Sequence, residues 1–229
     1  MTLSFNQLEK KLGVKFKNQK FLQQALTHRS FLNESGQPGT ESNERLEFLG
    51  DAILSFLVSG WLFNLLPDYP EGNLTNIRSN LVRTDSLAKI SQKLKIGDSL
   101  LMSKGERESG GTNSISLLAN ALEAMIGAIY KDQDLKTVEK FIRHHFSPIL
   151  KELLQTGSFK DAKSLLQEKT QAETTQSPVY KTLKEEGPDH DKTFTIGVFS
   201  SNKLLATGVG KSKQQAEEKA AKIALEDLL

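Results

Sequence analysis

The chain has 229 residues, no cysteine and a formal net charge of +2 at pH 7. That length holds one large domain or a medium domain plus a small one, and the missing cysteines exclude a disulfide framework, a thiolate metal site and a Cys nucleophile, as fits a reducing cytoplasm. A charge this near neutral excludes bulk electrostatics as the sign of a nucleic-acid partner, so any such case has to rest on where the basic residues fall.

From Met1 to Gln24, Lys, Glu, Asn and Gln are mixed with single apolar residues, without the continuous apolar region of a secretory signal. Apolar residues then recur at three- and four-residue spacing as far as Leu154, which predicts an all-α region. Helices are expected at Ser4–Leu12, Gln19–Thr27, Asn43–Leu66, Glu71–Arg83, Thr84–Leu94, Ser114–Lys131 and Leu135–Leu154. The most apolar run, Ala52–Phe63, is interrupted by Ser55, Ser59 and Gly60. It is shorter than the ~20 residues of a bilayer span, so it reads as a buried core helix with no membrane role. Asn33–Thr40 and Gly105–Thr112 read as polar, glycine-containing loops.

The periodicity changes at Gln155–Lys160, where a domain boundary is expected, giving domains over 1–155 and 160–229. Beyond it come a helix at Asp161–Ala172, strands at Val179–Lys184, Thr193–Phe199 and Lys203–Val209, and a helix at Ser212–Leu229. Phe194, Ile196 and Val198 alternate onto one face of the second strand, and Ser200–Asn202 makes a hairpin turn. The order α-β-β-β-α predicts a small α+β layer with both helices on one face of a three-stranded sheet.

Chemistry concentrates on two of the predicted helices. Glu44, Glu47 and Asp51 stand at i, i+3 and i+7, so they share one stripe, where like charges repel by a few tenths of a kcal/mol per pair. A hard divalent cation over the stripe would account for them; an ordinary solvated face, with Arg45 as local counter-charge, would as well. In Leu117–Tyr130, Asn120 and Glu123 are the polar side chains in a long apolar run. Buried polar groups need a partner or an ion, and a hydrogen-bonded core pair satisfies that condition as well as a metal does.

The stretch Asn43-Glu-Arg-Leu-Glu-Phe-Leu-Gly-Asp51 resembles the signature of the ribonuclease III family, and Ala25-Leu-Thr-His-Arg-Ser30, Glu71-Gly72, Ser109-Gly-Gly111 and Ala119–Tyr130 follow at fitting separations. The resemblance implies an all-α catalytic endonuclease domain followed by an α+β double-stranded-RNA-binding domain. It also implies Mg²⁺-dependent hydrolysis of duplex RNA, with Mn²⁺ as a substitute and no organic cofactor, leaving 5′-phosphate and 3′-hydroxyl ends. The cellular role it implies is processing of ribosomal RNA precursors and other structured RNAs.

Carried over by position, catalytic roles fall on Glu44, Asp51, Glu71 and Glu123, and metal ligation on Glu47, Asp51, Asn120 and Glu123. Asn120 departs from the family's usual aspartate: its carbonyl oxygen still ligates Mg²⁺, but brings no charge and cannot act as a base. A homodimer through the catalytic domain is implied, with Phe48 at its interface. His28 is a candidate base or metal ligand, against a structural or RNA-backbone role beside Arg29.

In the C-terminal module the resemblance places RNA contacts at Gln167, with Glu168 beside it, at His190 in the loop Gly187–Asp191, and at Lys211, Ser212 and Lys213. Ser212 with Gln215 reads as a capping box, so a helix start adds partial positive charge beside two lysines. Lys219 and Lys222 continue that face, Glu217 and Glu218 offer a balancing charge, and Gln214 stands where the family often has another lysine. Recognition would be of A-form shape. Two rival readings follow: a duplex-RNA-binding protein of the same fold disabled by Asn120, and a helical hydrolase of small phosphate esters that would not need the residues after Gln155.

Overall fold

The computed structural model describes residues 4–35, 39–159, 162–174, 176–188 and 191–227. It divides into two compact units, Met1–Thr156 and Gly157–Leu229.

The first unit is helical: α1 (Phe5–Leu12), α2 (Gln19–Leu26), α3 (Arg29–Ser35), α4 (Glu44–Leu65), α5 (Glu71–Val82), α6 (Thr84–Leu94), α7 (Lys104–Glu108), α8 (Ile115–Asp132) and α9 (Leu135–Thr156), with 3₁₀ turns at Ile96–Ser99 and Gly111–Asn113. Local chemistry sets the boundaries. Ser4 and Gln7 close a reciprocal capping box at the start of α1, and Gly13, at φ 68°, ends it. The turn into α2 is tied by buried Glu9, which accepts from the Phe16 N–H at 2.8 Å and from Gln19 Nε2 at 2.8 Å.

The core is organised on α8, whose Leu118, Leu122, Met125, Ile126 and Ile129 are buried among α2, α4, α6 and α9. Its closest neighbour is α4, and two glycines explain the closeness. A Cβ at Gly50 would lie 1.8 Å from the Glu123 carbonyl oxygen, and one at Gly127 would lie 2.2 Å from that of Leu46. Only hydrogen fits at this crossing, so a glycine that costs each helix about 1 kcal/mol in propensity permits the backbones to touch.

Three expectations need correction. α3 was not foreseen, because Phe31 and Leu32 are adjacent and give no helical repeat. α7 occupies part of the expected Gly105–Thr112 loop: Ser103 Oγ accepts the Glu106 N–H, and the Arg107 guanidinium donates to the Leu100 carbonyl at 2.6 Å, so capping and one side-chain bond back to the preceding segment outweigh Gly105. The apolar run Ala52–Phe63 of α4 is not wholly buried: Leu54, Val58 and Leu62 are, but Phe56 and Phe63 are 66% and 70% exposed, as is Phe48 before the run, at 81%. By length and composition α4 is long and apolar enough to cross a membrane, yet it carries Glu44, Arg45, Glu47 and Asp51 in its first turns and packs on α5, α8 and α9.

The second unit runs α10 (Ala162–Thr174), β1 (Val179–Glu186), β2 (Thr193–Ser200), β3 (Lys203–Gly210) and α11 (Lys213–Asp227), its strands antiparallel in the order β1-β2-β3. Ser201 and Asn202, at φ 47° and 66°, make the tight β2–β3 turn that a right-twisted hairpin requires. Leu166, Val198, Ala206, Ala220, Ala221 and Ala224 form its core. Here too glycine sets a packing distance: a Cβ at Gly208 would sit 2.2 Å from the Ala216 carbonyl oxygen, so α11 lies flat on β3.

Candidate functional site

A cavity of about 660 Å³ opens between the start of α4 and the N-terminal half of α8, lined by His28, Arg29, Asn43, Glu44, Glu47, Phe48, Asp51, Leu100, Leu117, Asn120 and Glu123. The helical stripe of α4 supplies Glu44, Glu47 and Asp51, and the Gly50–Gly127 crossing brings Asn120 and Glu123 of α8 against it. Buried Asn43 fixes the entry of α4: its N–H donates to the Thr27 carbonyl at 2.8 Å and its Nδ2 to that of Ala25 at 3.5 Å.

The carboxylates differ in their support. Glu44 has partners, with Ser42 Oγ donating to it at 2.9 Å and Arg29 at 3.8 Å. Glu47 is held above the usual carboxylate range by burial first, then by the charges of Glu44 and Asp51. Burial, followed by the charges of Asp51 and Glu47, pushes the Glu123 carboxyl up to about 7. Arg29 answers Glu44, but among the described residues no cation of the protein pairs with Glu47, Asp51 or Glu123, the arrangement expected where a ligand supplies the positive charge.

Among the described residues no three Asp, Glu or His groups converge into a ready-made ion cage. Mg²⁺ does not need one, since it keeps several waters and is bound through one or two carboxylates. The donor set of Glu47, Asp51, Glu123 and the Asn120 carbonyl oxygen fits such an ion in chemistry and in charge.

Glu71 is placed elsewhere: it is exposed at the start of α5, accepts from Thr75 Oγ1 at 2.8 Å and does not line the cavity. Phe48 does line it, with its ring largely exposed. Gly50 and Gly127, which set the spacing of the whole site, were not singled out in the sequence. Their signal was glycine in the middle of apolar helices, where it is costly unless packing requires it.

In the second unit Gln167 is exposed on α10, and His190 lies outside the described residues. Ser212 caps α11, its Oγ accepting the Gln215 N–H at 3.2 Å, while Gln215 Oε1 accepts from the Lys211 N–H at 2.7 Å. Both lysines are engaged at the surface, Lys211 with Asp191 at 2.6 Å and Lys213 with Glu185 at 2.9 Å. The Lys213 ammonium beside Glu185, with Lys192 adding to it, holds that carboxyl below its ordinary range. Glu217 and Glu218 do not balance the lysines of α11 as the sequence suggested. Glu217 binds Lys163 at 2.6 Å and Glu218 accepts the Ala162 N–H at 2.9 Å, so both tie α10 to α11.

Comparison with known proteins gives the same division. A Ribonuclease-III-like family model matches residues 18–150 and a double-stranded RNA binding motif matches 162–228. The chain is 43% identical to Ribonuclease 3 of Pelotomaculum thermopropionicum over 218 residues, 95% of this chain and 90% of that protein. With Ribonuclease 3 of Carboxydothermus hydrogenoformans it shares 46% over 219 residues, 96% of this chain and 93% of that one. The chain belongs to the ribonuclease III family. In that family its architecture is a helical nuclease unit followed by a duplex-RNA-binding unit, and its activity is that of an endoribonuclease on double-stranded RNA. A solved nuclease domain of Ribonuclease III from Campylobacter jejuni, described with a region involved in dimer formation, superposes with a TM-score of 0.59 at 38% identity. It covers 63% of this chain and 97% of that one.

Proposed function

We propose that the cavity between α4 and α8 is the cleavage site of this ribonuclease III, with Glu47, Asp51, Glu123 and the Asn120 carbonyl holding Mg²⁺, or Mn²⁺ in its place. The observation that carries the reading is the α4–α8 crossing, which brings Asn120 and Glu123 against Glu47 and Asp51 in one cavity; burial and the charges of Asp51 and Glu47 hold the Glu123 carboxyl above its ordinary range there, and a bound cation would remove that repulsion. When bound, the cation supplies an activated water and charge neutralisation at the phosphodiester. Asp51 and Glu123 orient it from two helices, and the buried α4–α8 crossing holds those helices rigidly. Glu44, anchored by Ser42 and Arg29, stands at the rim, where it orients water without being drawn onto the ion. Glu71 lies apart from the cavity of one chain, and its catalytic assignment rests on the family resemblance alone.

The exposed Phe48, Phe56 and Phe63 follow one another along α4 at eight- and seven-residue steps, which keeps them on one side of the helix. A second copy of the nuclease unit is the proposed cover, giving a homodimer with Phe48 beside each cleavage site. In the other unit, Gln167, Ser212, Lys211 and Lys213 contact the duplex, and the lysines exchange exposed carboxylates for phosphates. That exchange costs little, because exposed ion pairs are worth only about 0–1 kcal/mol. The test is cleavage of a long RNA duplex by the full chain after metal removal and Mg²⁺ restoration, with the product ends mapped. Restored cutting to 5′-phosphate and 3′-hydroxyl ends is expected; metal-independent cutting, or 2′,3′-cyclic ends, would refute the assignment.

A further inference from the structure

His28 stands between α2 and α3 and is pinned by its backbone. Its N–H donates to the Leu101 carbonyl at 2.8 Å, and the Leu101 N–H donates to that of Leu26 at 2.8 Å. His28 lines the acidic cavity and also a neighbouring cavity of about 570 Å³ lined with Arg29, Ser30, Leu32, Asn33, Glu106 and Leu117, so it forms part of the wall they share. Its Nδ1 lies 2.8 Å from Ser30 Oγ and 3.4 Å from the Ser30 backbone nitrogen.

The tautomer follows from these contacts. A backbone N–H can only donate, so Nδ1 is an acceptor. Ser30 Oγ already accepts the Ser103 N–H at 3.0 Å, which leaves its own hydroxyl proton to give to Nδ1. The ring proton therefore sits on Nε2, and among the described residues nothing hydrogen-bonds that atom. In this tautomer the unshared ring lone pair, on Nδ1, is turned to Ser30, so Nε2 presents a donor and no acceptor. What it offers at the cavity wall is one directed N–H.

We propose that His28 is a substrate-binding residue whose Nε2–H donates to a backbone oxygen, phosphate or 2′-hydroxyl, of the RNA strand beside the scissile bond. Ser30 is the positioning residue that fixes the donor tautomer. The inference rests on the cavity being the cleavage site. It gives that site a contact that Arg29 does not provide, since Arg29 is turned to Glu44. A single directed donor also suits a place where an anionic strand must enter beside several carboxylates.

The test is single-turnover cleavage by the full chain with Mg²⁺, comparing wild type, His28→Ala, His28→Gln and Ser30→Ala, each first shown to melt like the wild type. The substrates are a defined duplex and versions carrying one 2′-deoxy nucleotide or one methylphosphonate near the cut. His28→Ala should lower kcat/KM about tenfold, chiefly through KM, as loss of one hydrogen bond predicts. His28→Gln should recover most of it through its amide N–H, and Ser30→Ala should fall between. One modified substrate should be cut equally by wild type and His28→Ala, the signature of a shared contact in a double-mutant cycle. Cancellation by 2′-deoxy assigns the 2′-oxygen, and cancellation by methylphosphonate assigns the phosphate. Unchanged cleavage by His28→Ala, or no recovery in His28→Gln, would overturn the proposal. Duplex affinity without metal separates this from failure of the cleavage-site reading: even if wild type cut nothing, His28→Ala should bind about three- to tenfold more weakly, and equal affinity would likewise refute the contact.

Discussion

The two units treat charge in opposite ways. In the α4–α8 cavity, Glu47 and Glu123 are partly buried, the first one turn from Asp51 on α4 and the second across the helix crossing from it, and both are raised above their ordinary range. At the start of α11, Lys211 and Lys213 lie in water and each already holds a carboxylate. A buried crowd of like charge weakens the folded state until an ion arrives, whereas exposed pairs cost almost nothing to form or exchange. The first arrangement suits tight positioning of a cation and the second suits reversible contact with many phosphates.

The sharpest break in that contrast is removal of the buried acid. Glu123→Ala should lower Mg²⁺-dependent cleavage by more than the roughly 10–100-fold that loss of an outer partner of a metal site costs, while metal-free duplex binding, to which the Glu123 carboxylate contributes no attraction, stays near wild type. Next comes the spacing of the site. Gly127→Ala puts a methyl against the Leu46 carbonyl and should cost about 1–3 kcal/mol by overpacking, read as a lower Tm together with reduced cleavage. A cavity that tolerated the methyl would show that the helix crossing does not set the position of the acids.

A smaller effect is expected at the exposed pairs. Lys213→Ala should weaken duplex binding and reduce the slope of log affinity against log salt by about 1, without altering Tm. An unchanged slope would remove Lys213 from the RNA contact.

The smallest effect is a gain of stability. The carboxyl of Glu123 is raised from 4.5 to about 7, so between those values the folded state binds the proton more tightly than the unfolded state, and stability falls as pH rises through the window. Glu123→Gln should therefore melt with the metal-free wild type below pH 4.5 and above it by ~2–4 °C at pH 8, the shift expected of about 1 kcal/mol. Mg²⁺ should close the gap by stabilising only the wild type. A pH-independent difference would contradict the electrostatic crowding.

Much of this was legible in the sequence because it is periodic. The stripe of Glu44, Glu47 and Asp51, the polar pair Asn120 and Glu123 in an apolar helix, and the alternation of Phe194, Ile196 and Val198 follow from 3.6- and 2-residue repeats. What was missed depends on contacts distant in the chain. α3 and α7 are short and rest on long-range bonds such as Ser103 N–H to Ser30 Oγ. The exposure of Phe56 and Phe63 could not be told from burial by hydropathy. Gly50 and Gly127 matter only because they meet each other, and the placement of Glu71 outside the cavity is likewise a matter of packing.

The most direct test of the central claim, that this carboxylate crowd with Asn120 in it is a working divalent-cation site, is the Mg²⁺-dependent cleavage rate of an RNA duplex by wild type, Glu123→Gln and Asn120→Asp. The account predicts that wild type cuts, that Glu123→Gln binds without cutting, and that Asn120→Asp cuts at least as fast. A wild type that binds duplex but never cuts, while Asn120→Asp does, would contradict it.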